Sequence, residues 1–193
     1  MKPEEIALLY QIRRLGKGEN ISSFNCGDED LNDFILNESV LYRQSHLAVT
    51  YVIETKNTKK AIGFFSLAND RVSLSDFENK TEFNRFRRKR FVNEKRIKSY
   101  PAVKICRLGI DESVKGHSLG TFILDFIKSY FIDDNKTGCR FITVDAYTDA
   151  IPFYLKNSFL PLSEDSDADN DHTKLLFFDL AEIEEPYRQT NYR

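Results

Sequence analysis

The sequence predicts one α/β domain over residues 1–193, in which a mixed sheet packs against helices. Three observations support this fold class. A chain of 193 residues is long enough for one substantial core and short for two. Apolar segments of strand-like composition alternate with segments of helical periodicity. The composition, 41% hydrophobic and 30% charged, is typical of a globular protein, and no apolar run reaches the roughly 18 residues of a membrane span.

The first half of the chain predicts a strand, a helix and a hairpin. A short strand is expected at residues 10–15. In the following segment NCGDEDLNDFILNESVLYRQ the apolar residues recur at helical intervals, and Asp28 or Asp30 is placed to cap the helix. The segments LAVTYVIE (47–54) and AIGFFSLA (61–68) then predict two strands joined by a turn.

The second half predicts three further strands and two helices. Residues 72–99 are polar and basic, and they predict either a helix or a long excursion. A strand is expected at 101–110, where Pro101 stands at the start and no ladder donor is lost. The remaining elements are a helix from about Leu119 to Phe131, a strand at 139–147, a short helix and its exit at 149–159, and a strand at 174–180.

Charge is unevenly distributed along the chain, although the net charge is only −2. Residues 85–98, RFRRKRFVNEKRIK, contain eight Lys or Arg and one Glu, whereas residues 163–171, SEDSDADND, contain five carboxylates. Such runs are usually solvated surface. The basic run also suits phosphate contact and base stacking, as single-stranded RNA binding requires, or contact with an acidic peptide. Its candidate substrate-binding residues are Arg87, Arg88 and Arg90.

The segment VKGHSLGTF (114–122) connects a predicted strand to a predicted helix. The first amides of a helix lack internal partners, and together with the helix dipole they favour an anion. Gly116 and Gly120 permit close approach of a phosphate, and Lys115 adds positive charge. The pattern is not a Walker loop and lacks the full dinucleotide fingerprint, so an ordinary strand-to-helix corner stays open on spacing alone.

Residues 106–127, CRLGIDESVKGHSLGTFILDFI, resemble the signature of the GNAT superfamily of N-acetyltransferases, whose loop binds the pyrophosphate of acetyl-CoA. The family's second mark is a tyrosine in a short helix after the next strand, which DAIPFYLKNSF (149–159) resembles. FNCGDEDLNDFI and AVTYVIETKNTKKAIGFFSL extend the resemblance over most of the chain. Within the superfamily the sequence looks like the branch that includes toxins acetylating aminoacyl-tRNA.

This resemblance implies a mixed, mostly antiparallel central sheet flanked by helices, with splayed central strands that form a cleft for acetyl-CoA. It departs from the family pattern at Lys115, where Gln or Arg is usual, and at Ser118, which replaces the first signature glycine. A positive backbone φ at Ser118 would cost about 1 kcal/mol because serine has a Cβ atom, and a helical φ would remove that cost. The implied cofactor-binding residues are Leu108, Gly109, Ile110, Lys115, Gly116, His117, Ser118, Leu119, Gly120 and Thr121.

The resemblance assigns catalysis to Tyr154 as the general acid. A phenol of pKa about 10 is protonated at neutral pH and can give its proton to a thiolate whose conjugate acid has a pKa near 8.5. The alternative is that its helix only packs on the sheet. Asp145 is a candidate base or substrate contact, although its position also suits a turn cap. No partner is evident for the three histidines, and Cys106 and Cys139 are expected to be buried small hydrophobes.

Three functions are consistent with these features. The first is an acetyl-CoA-dependent N-acetyltransferase that acts on a primary amine by direct transfer in a ternary complex. The second is a toxin-type enzyme that acetylates the amino group of aminoacyl-tRNA. The third is a CoA- or RNA-binding protein without turnover. The acceptor is a small molecule, a peptide or aminoacyl-tRNA, and a homodimer and an antitoxin partner stay open. Cysteine number and spacing predict a cytoplasmic protein without a metal site.

Overall fold

The computed structural model describes residues 2–132, 137–163 and 172–183. Its seven-stranded sheet has the order β1-β2-β3-β4-β5-β7-β6. The pairs β1–β2, β2–β3, β5–β7 and β6–β7 are antiparallel, whereas β4 and β5 pair in parallel. The predicted mixed, mostly antiparallel sheet with flanking helices is therefore confirmed. Residues 164–171 of the acidic run lie outside the described residues.

The elements alternate along the chain as the sequence patterns predict. The helices are α1 (Pro3–Leu9), α2 (Glu29–Asp33), α3 (Ser39–Gln44), α4 (Lys80–Arg90), α5 (Leu119–Ile132) and α6 (Ile151–Lys156), with a π-helical turn at Phe34–Glu38 between α2 and α3. The strands are β1 (Tyr10–Arg14), β2 (Val49–Thr55), β3 (Ala61–Ser73), β4 (Ser99–Ile110), β5 (Phe141–Tyr147), β6 (Leu160–Pro161) and β7 (Thr173–Asp179).

Three differences from the predicted elements stand out. Strand β3 continues five residues beyond the expected end, because its last two residues, Val72 and Ser73, are buried again after a partly exposed stretch. The basic segment is resolved as helix α4, which Asn79 caps by accepting from the amides of Thr81 and Glu82. Helix α1 and the two-residue strand β6 were not predicted.

The chain forms two compact units. The first consists of residues 1–68 and 105–127, and the second of residues 69–104 and 128–193. In the first unit, Asp28 caps α2 by accepting from the Leu31 amide at 2.9 Å, as one of the two predicted alternatives requires. Its core contains Leu15, Phe24, Cys26, Phe34, Ile35, Val52, Ala61 and Phe64.

The second unit has an aromatic core. Phe86 of α4 contacts Phe141 of β5 and Phe177 of β7, with ring centroids 5.5 and 5.3 Å apart. The core residues are Val72, Phe77, Phe83, Phe86, Tyr100, Ala102, Phe141, Leu162 and Phe177. Helix α4 therefore packs through its phenylalanines, and Arg85 and Arg88 are exposed on its other side. Among the described helices, none combines the length and apolar character needed to cross a bilayer.

Candidate functional site

The end of β4 leads into the predicted cofactor loop, and Gly109 fixes how it packs. A Cβ at Gly109 would lie 2.7 Å from a ring carbon of Phe64, which is closer than real Cβ atoms approach. Phe64 is itself fully buried against the ring of Phe24, 5.3 Å away. The glycine therefore lets β4 lie close to β3 within the first unit, while its neighbours Leu108 and Ile110 remain half-buried.

Asp111 anchors the turn that follows β4. The amide of Asp111 donates to the Ile62 carbonyl at 3.0 Å. Its carboxylate accepts from the amide and the hydroxyl of Ser113, at 3.1 and 2.5 Å, and from the Asn25 amide at 3.4 Å. Burial by itself would raise the pKa of this carboxyl, but these hydrogen bonds and the nearby Lys60 ammonium outweigh it and lower the pKa. A charged Asp111 thus holds the start of the loop.

A second connection joins the loop to the segment before α2. The Glu112 amide donates to the Asn25 carbonyl at 2.9 Å, and the Glu112 carboxylate accepts from the Asn25 side chain at 3.3 Å. Gly27, with φ +78°, leaves room for that carboxylate, since a Cβ there would lie 2.6 Å from Glu112 Oε1. The segment FNCGDEDLNDFI, part of the sequence resemblance, therefore contributes to positioning the loop.

Residues 115–118 form an exposed loop with two left-handed backbone positions. Gly116 has φ +81°, and nothing lies within 4 Å of the Cβ that could be added there. Ser118 has φ +62°, so the unfavourable backbone conformation considered for this residue is present and costs about 1–2 kcal/mol. His117 is exposed. Lys115 Nζ lies 3.8 Å from Glu112 Oε1, which partly offsets its positive charge.

Helix α5 begins directly after Ser118. The Phe122 amide donates to the Ser118 carbonyl at 3.0 Å, which is the first i→i−4 bond of the helix. By helix geometry the amides of Leu119, Gly120 and Thr121 therefore lack helical acceptors. These donors and the positive end of a 14-residue helix form an anion-binding arrangement.

The loop residues fit the diphosphate of a coenzyme. The required features are backbone donors without helical acceptors, a glycine that admits close approach and a cation at the edge. The start of α5, Gly116 and Lys115 supply them. The predicted set Leu108–Ile110 and Lys115–Thr121 is contiguous in this strand, loop and helix. Its assignment to acetyl-CoA stays a prediction.

Tyr154 lies in the second unit, on α6. Its side chain is buried, and its ring packs edge-on against Phe153 and Phe159, with centroids 5.1 and 5.3 Å away. Burial raises the pKa of the Tyr154 phenol to about 12. Among the described residues its hydroxyl has no hydrogen-bond partner. The phenol is thus held protonated, as a proton donor must be.

Lys128 fixes the end of α6, and the sequence patterns did not reveal it. Its buried ammonium donates to the Asn157 carbonyl at 2.8 Å and lies 4.3 Å from the centre of the Phe178 ring. A charged hydrogen bond at this position satisfies a carbonyl just beyond the helix carrying Tyr154. A lysine in the apolar pattern of α5 gives no sequence signal for this contact, because its partner is 29 residues away.

The remaining candidate residues all belong to the second unit. Asp145 is exposed and forms an ion pair with Lys104. Arg88 is exposed, and Arg87 is half-buried, with its guanidinium carbon 5.3 Å from the Phe83 ring centre. These placements leave the predicted substrate contacts untested.

Arg90 differs from its neighbours because its side chain packs against the aromatic core of the second unit. It forms an ion pair of 3.3 Å with Asp179 and lies 4.3 and 4.9 Å from the rings of Phe86 and Phe177. Burial lowers the pKa of the Arg90 guanidinium, and the Asp179 carboxylate opposes that shift. These contacts give Arg90 a structural role, independent of whether it touches a substrate.

Comparison with solved structures identifies the fold. A tyrosine-to-phenylalanine mutant of KacT superposes with a TM-score of 0.73 and 21% identity, over 92% of this chain and 99% of that one. The AtaTR complex bound to AcCoA superposes with a TM-score of 0.70 and 20% identity, over 93% of this chain and 98% of that one. The chain has the fold of KacT and AtaT. This confirms the predicted GNAT-like fold.

AtaT has also been solved in complex with acetyl-methionyl-tRNAfMet. That structure matches with a TM-score of 0.67 and 22% identity, over 92% of this chain and 99% of that one. No protein-family model matches the sequence. At these identities the likeness establishes the architecture, and the chemistry must be argued from the residues of this chain.

Proposed function

We propose that this protein is an acetyl-CoA-dependent N-acetyltransferase whose acceptor is the amino group of an aminoacyl-tRNA. The exposed loop at residues 116–118 and the start of α5 at Leu119–Thr121 carry the proposal, since backbone amides without helical acceptors suit a diphosphate. The fold is shared with AtaT, which is known bound to acetyl-CoA and to acetyl-methionyl-tRNAfMet. That likeness supports aminoacyl-tRNA over an unspecified primary amine.

Each residue group has a separate task in this reaction. The amides at the start of α5, with Lys115, hold the diphosphate, and the main chain of Leu108–Ile110 lines the path of the acyl arm. Acetyl-CoA supplies an activated thioester. The neutral amine attacks the carbonyl carbon, so that the C–N bond forms as the C–S bond breaks. The amine's proton leaves to water, and Tyr154 donates a proton to the departing sulfur.

Much of the rate enhancement would come from positioning. Holding a thioester and an amine together replaces a bimolecular encounter by an effectively unimolecular step. A strong base is then unnecessary, provided that the amine is neutral when it attacks. Asp145 is already paired with Lys104, and we therefore assign proton removal to solvent.

Partners and location follow from the same proposal. KacT and AtaT are known in complexes named KacTA and AtaTR, the latter with the antitoxin AtaR. We propose that this protein likewise has an antitoxin partner. Its three cysteines are free, which suits the reducing cytoplasm where aminoacyl-tRNA is found.

Thiol release tests the proposal directly. Purified protein is incubated with acetyl-CoA and, in separate reactions, aminoacyl-tRNA, the same tRNA without its amino acid, and small primary amines. We expect free CoA to accumulate with aminoacyl-tRNA and not with the deacylated tRNA, and mass spectrometry to locate the acetyl group on the amino acid. Binding of acetyl-CoA without thiol release from any acceptor would establish the non-catalytic alternative instead.

A further inference from the structure

Helix α4 and the turn after it line a small, open basic pocket within the second unit. Its volume is about 270 Å³, and its lining residues are Thr81, Asn84, Arg87, Arg88 and Arg96. This is just below the roughly 300–1,000 Å³ of typical small-molecule sites. The lining therefore combines three guanidinium groups with a hydroxyl and an amide, in a space suited to a compact anion.

The positions of the three arginines follow from the local structure. Arg87 and Arg88 both lie about one turn after Asn84 and about two turns after Thr81. One face of α4 therefore presents all four residues. Arg96 follows the 3₁₀ turn Asn93–Lys95, and its carbonyl accepts from Arg87 Nη1 at 3.3 Å. The turn itself is tied down by Tyr100, whose hydroxyl donates to the Lys95 carbonyl at 3.2 Å. The pocket is thus built on fixed backbone.

These guanidinium groups lack a counter-charge in the described part of the chain. Arg90 and Arg140 both pair with Asp179, whereas no carboxylate among the described residues forms an ion pair with Arg87, Arg88 or Arg96. Like charges this close repel one another, so an arrangement of three arginines is favoured when an anion occupies it.

Two donor groups in the pocket are also unused. Arg87 Nε and Arg96 Nε are buried and have no hydrogen-bond partner among the described residues. The buried Asn84 Oδ1 is unpartnered as well, and because amide O and N positions are assigned by hydrogen bonding, the alternative orientation points an N–H₂ donor there. Buried polar groups without partners are costly, so these three side chains are not fully satisfied by the described part of the chain.

We propose that this pocket binds a phosphodiester of the tRNA backbone. Arginine recognises phosphate oxygens with paired N–H donors, and a polyanion supplies negative charge that the described residues lining the pocket do not carry. The inference rests on the proposed function for the identity of the RNA. It assigns the contact to Arg96 in place of Arg90, which already pairs with Asp179. The pocket would hold the acceptor tRNA and would take no part in bond making.

Helix α4 offers a matched control for the experiment. Arg85 is exposed and belongs to a different pocket, together with Glu82 and Lys89. The variants Arg96→Gln and Arg85→Gln therefore each remove one positive charge, the first from the proposed pocket and the second from a different pocket of the same unit. Arg96→Lys keeps the charge and removes the fork of donors. Circular dichroism and thermal unfolding establish that each variant is folded.

Binding is measured with a deacylated tRNA transcript at three salt concentrations. We expect Arg96→Gln to weaken affinity at least 10-fold and to reduce the slope of log K against log salt by about 1. Arg85→Gln should stay within about 3-fold of wild type, and Arg96→Lys should recover part of the loss. Equal effects of Arg96→Gln and Arg85→Gln would overturn the proposal.

Two further outcomes separate the sources of phosphate. A loss of acetyl-CoA affinity in Arg96→Gln, with tRNA binding unchanged, would assign the pocket to the cofactor and overturn the proposal. Inorganic phosphate at millimolar concentration should compete with tRNA in the wild type and have a smaller effect in Arg96→Gln. Binding of deacylated tRNA does not depend on acetyl transfer. Specific tRNA binding through Arg96 without thiol release would therefore support the phosphate pocket and contradict the proposed enzyme activity.

Discussion

Tyr154 is a phenol in an aromatic setting, and its burial has a chemical consequence. The pKa of about 12 makes it a weaker acid than a solvated tyrosine, whose pKa is about 10. A thiol with a pKa near 8.5 is the stronger acid, so complete proton transfer to a free thiolate is uphill. We therefore expect the proton to move as the C–S bond breaks and charge develops on sulfur.

Replacing Tyr154 should affect turnover and leave the cofactor bound. We expect Tyr154→Phe to lower kcat by about 10²–10⁴-fold, the usual contribution of a general acid, with acetyl-CoA affinity within about 2-fold of wild type. The control is Tyr147→Phe, an exposed tyrosine at the end of β5. Rates are measured by thiol release and affinity by calorimetry. Equal kcat values for the two variants would remove Tyr154 from the reaction.

The raised pKa also predicts the alkaline side of the pH profile. A donor must be protonated, and a phenol with a pKa of about 12 stays protonated well beyond neutral pH. We expect kcat to show no loss assignable to tyrosine ionisation up to about pH 10.5, whereas an ordinary tyrosine would begin to ionise near pH 9–10. A decline with an apparent pKa near 10 that disappears in Tyr154→Phe would contradict the buried setting.

Ser118 has a backbone conformation that favours glycine. Its φ of +62° costs about 1–2 kcal/mol, and a glycine there would add about 0.5–1 kcal/mol of unfolded-chain entropy. We expect Ser118→Gly to raise the free energy of unfolding by up to about 1 kcal/mol, measured in urea. Ser118→Ala, which keeps the Cβ and removes the hydroxyl, is the control. A Ser118→Gly protein less stable than Ser118→Ala would contradict strain at this residue.

Among the structural elements, the turn from β4 to α5 depends on one charged side chain. Asp111 joins the end of β4, the turn at Ser113 and the segment at Asn25. Hydrogen bonds to a charged group contribute about 1.5–3 kcal/mol each. The loop that we assign to the diphosphate is therefore fixed from its first residue, before helix α5 begins.

Removing this charge should destabilise the protein in a pH-dependent way. The folded-state pKa of Asp111 is lowered, so its contribution is present above the unfolded pKa near 3.9 and is lost as pH falls through the folded pKa. We expect Asp111→Asn to unfold at a lower urea concentration than wild type at pH 7. The difference between the two unfolding midpoints should become smaller below about pH 4. Asp125→Asn, an exposed acid on α5, is the control. A gap that is constant with pH would exclude a charge-based anchor.

The sequence predicted elements where periodicity was strong and failed where burial depends on distant partners. Strands β2, β4, β5 and β7 are predicted correctly because apolar residues dominate their sequences. The sequence of α4 does not distinguish a helix from an excursion, because only Phe83 and Phe86 form its apolar face and most of the other residues are charged. The extension of β3 contains the polar Asn69–Arg71, which local pattern alone assigns to a loop.

The candidate site was predicted in the same uneven way. The loop and Tyr154 were found from a family resemblance in short contiguous segments. Asp111 and Asn25 were missed because they are 86 residues apart, and no local pattern links them. The basic run was identified from charge alone, so Arg90 was grouped with Arg87 and Arg88 although Asp179 and two aromatic rings surround it.

Over the whole molecule, the proposed tasks are divided between the two units. The loop residues belong to the first unit, and Tyr154 and the basic pocket belong to the second. We therefore expect variants to separate three functions: loop changes should alter cofactor affinity, Tyr154→Phe should alter kcat, and Arg96→Gln should alter tRNA affinity. One variant that changed all three would indicate loss of folding.

The most direct test of the central claim compares acetyl-CoA with acetyl-pantetheine, which keeps the thioester and the pantetheine arm and lacks the diphosphate together with the adenosine 3′-phosphate. Both are titrated into the wild-type protein by calorimetry. Because we assign the amides from Gly116 to Thr121 to the diphosphate, we predict that acetyl-CoA binds at least 100-fold more tightly. Equal affinities for the two thioesters would contradict the assignment of this loop, and with it the proposed acetyltransferase.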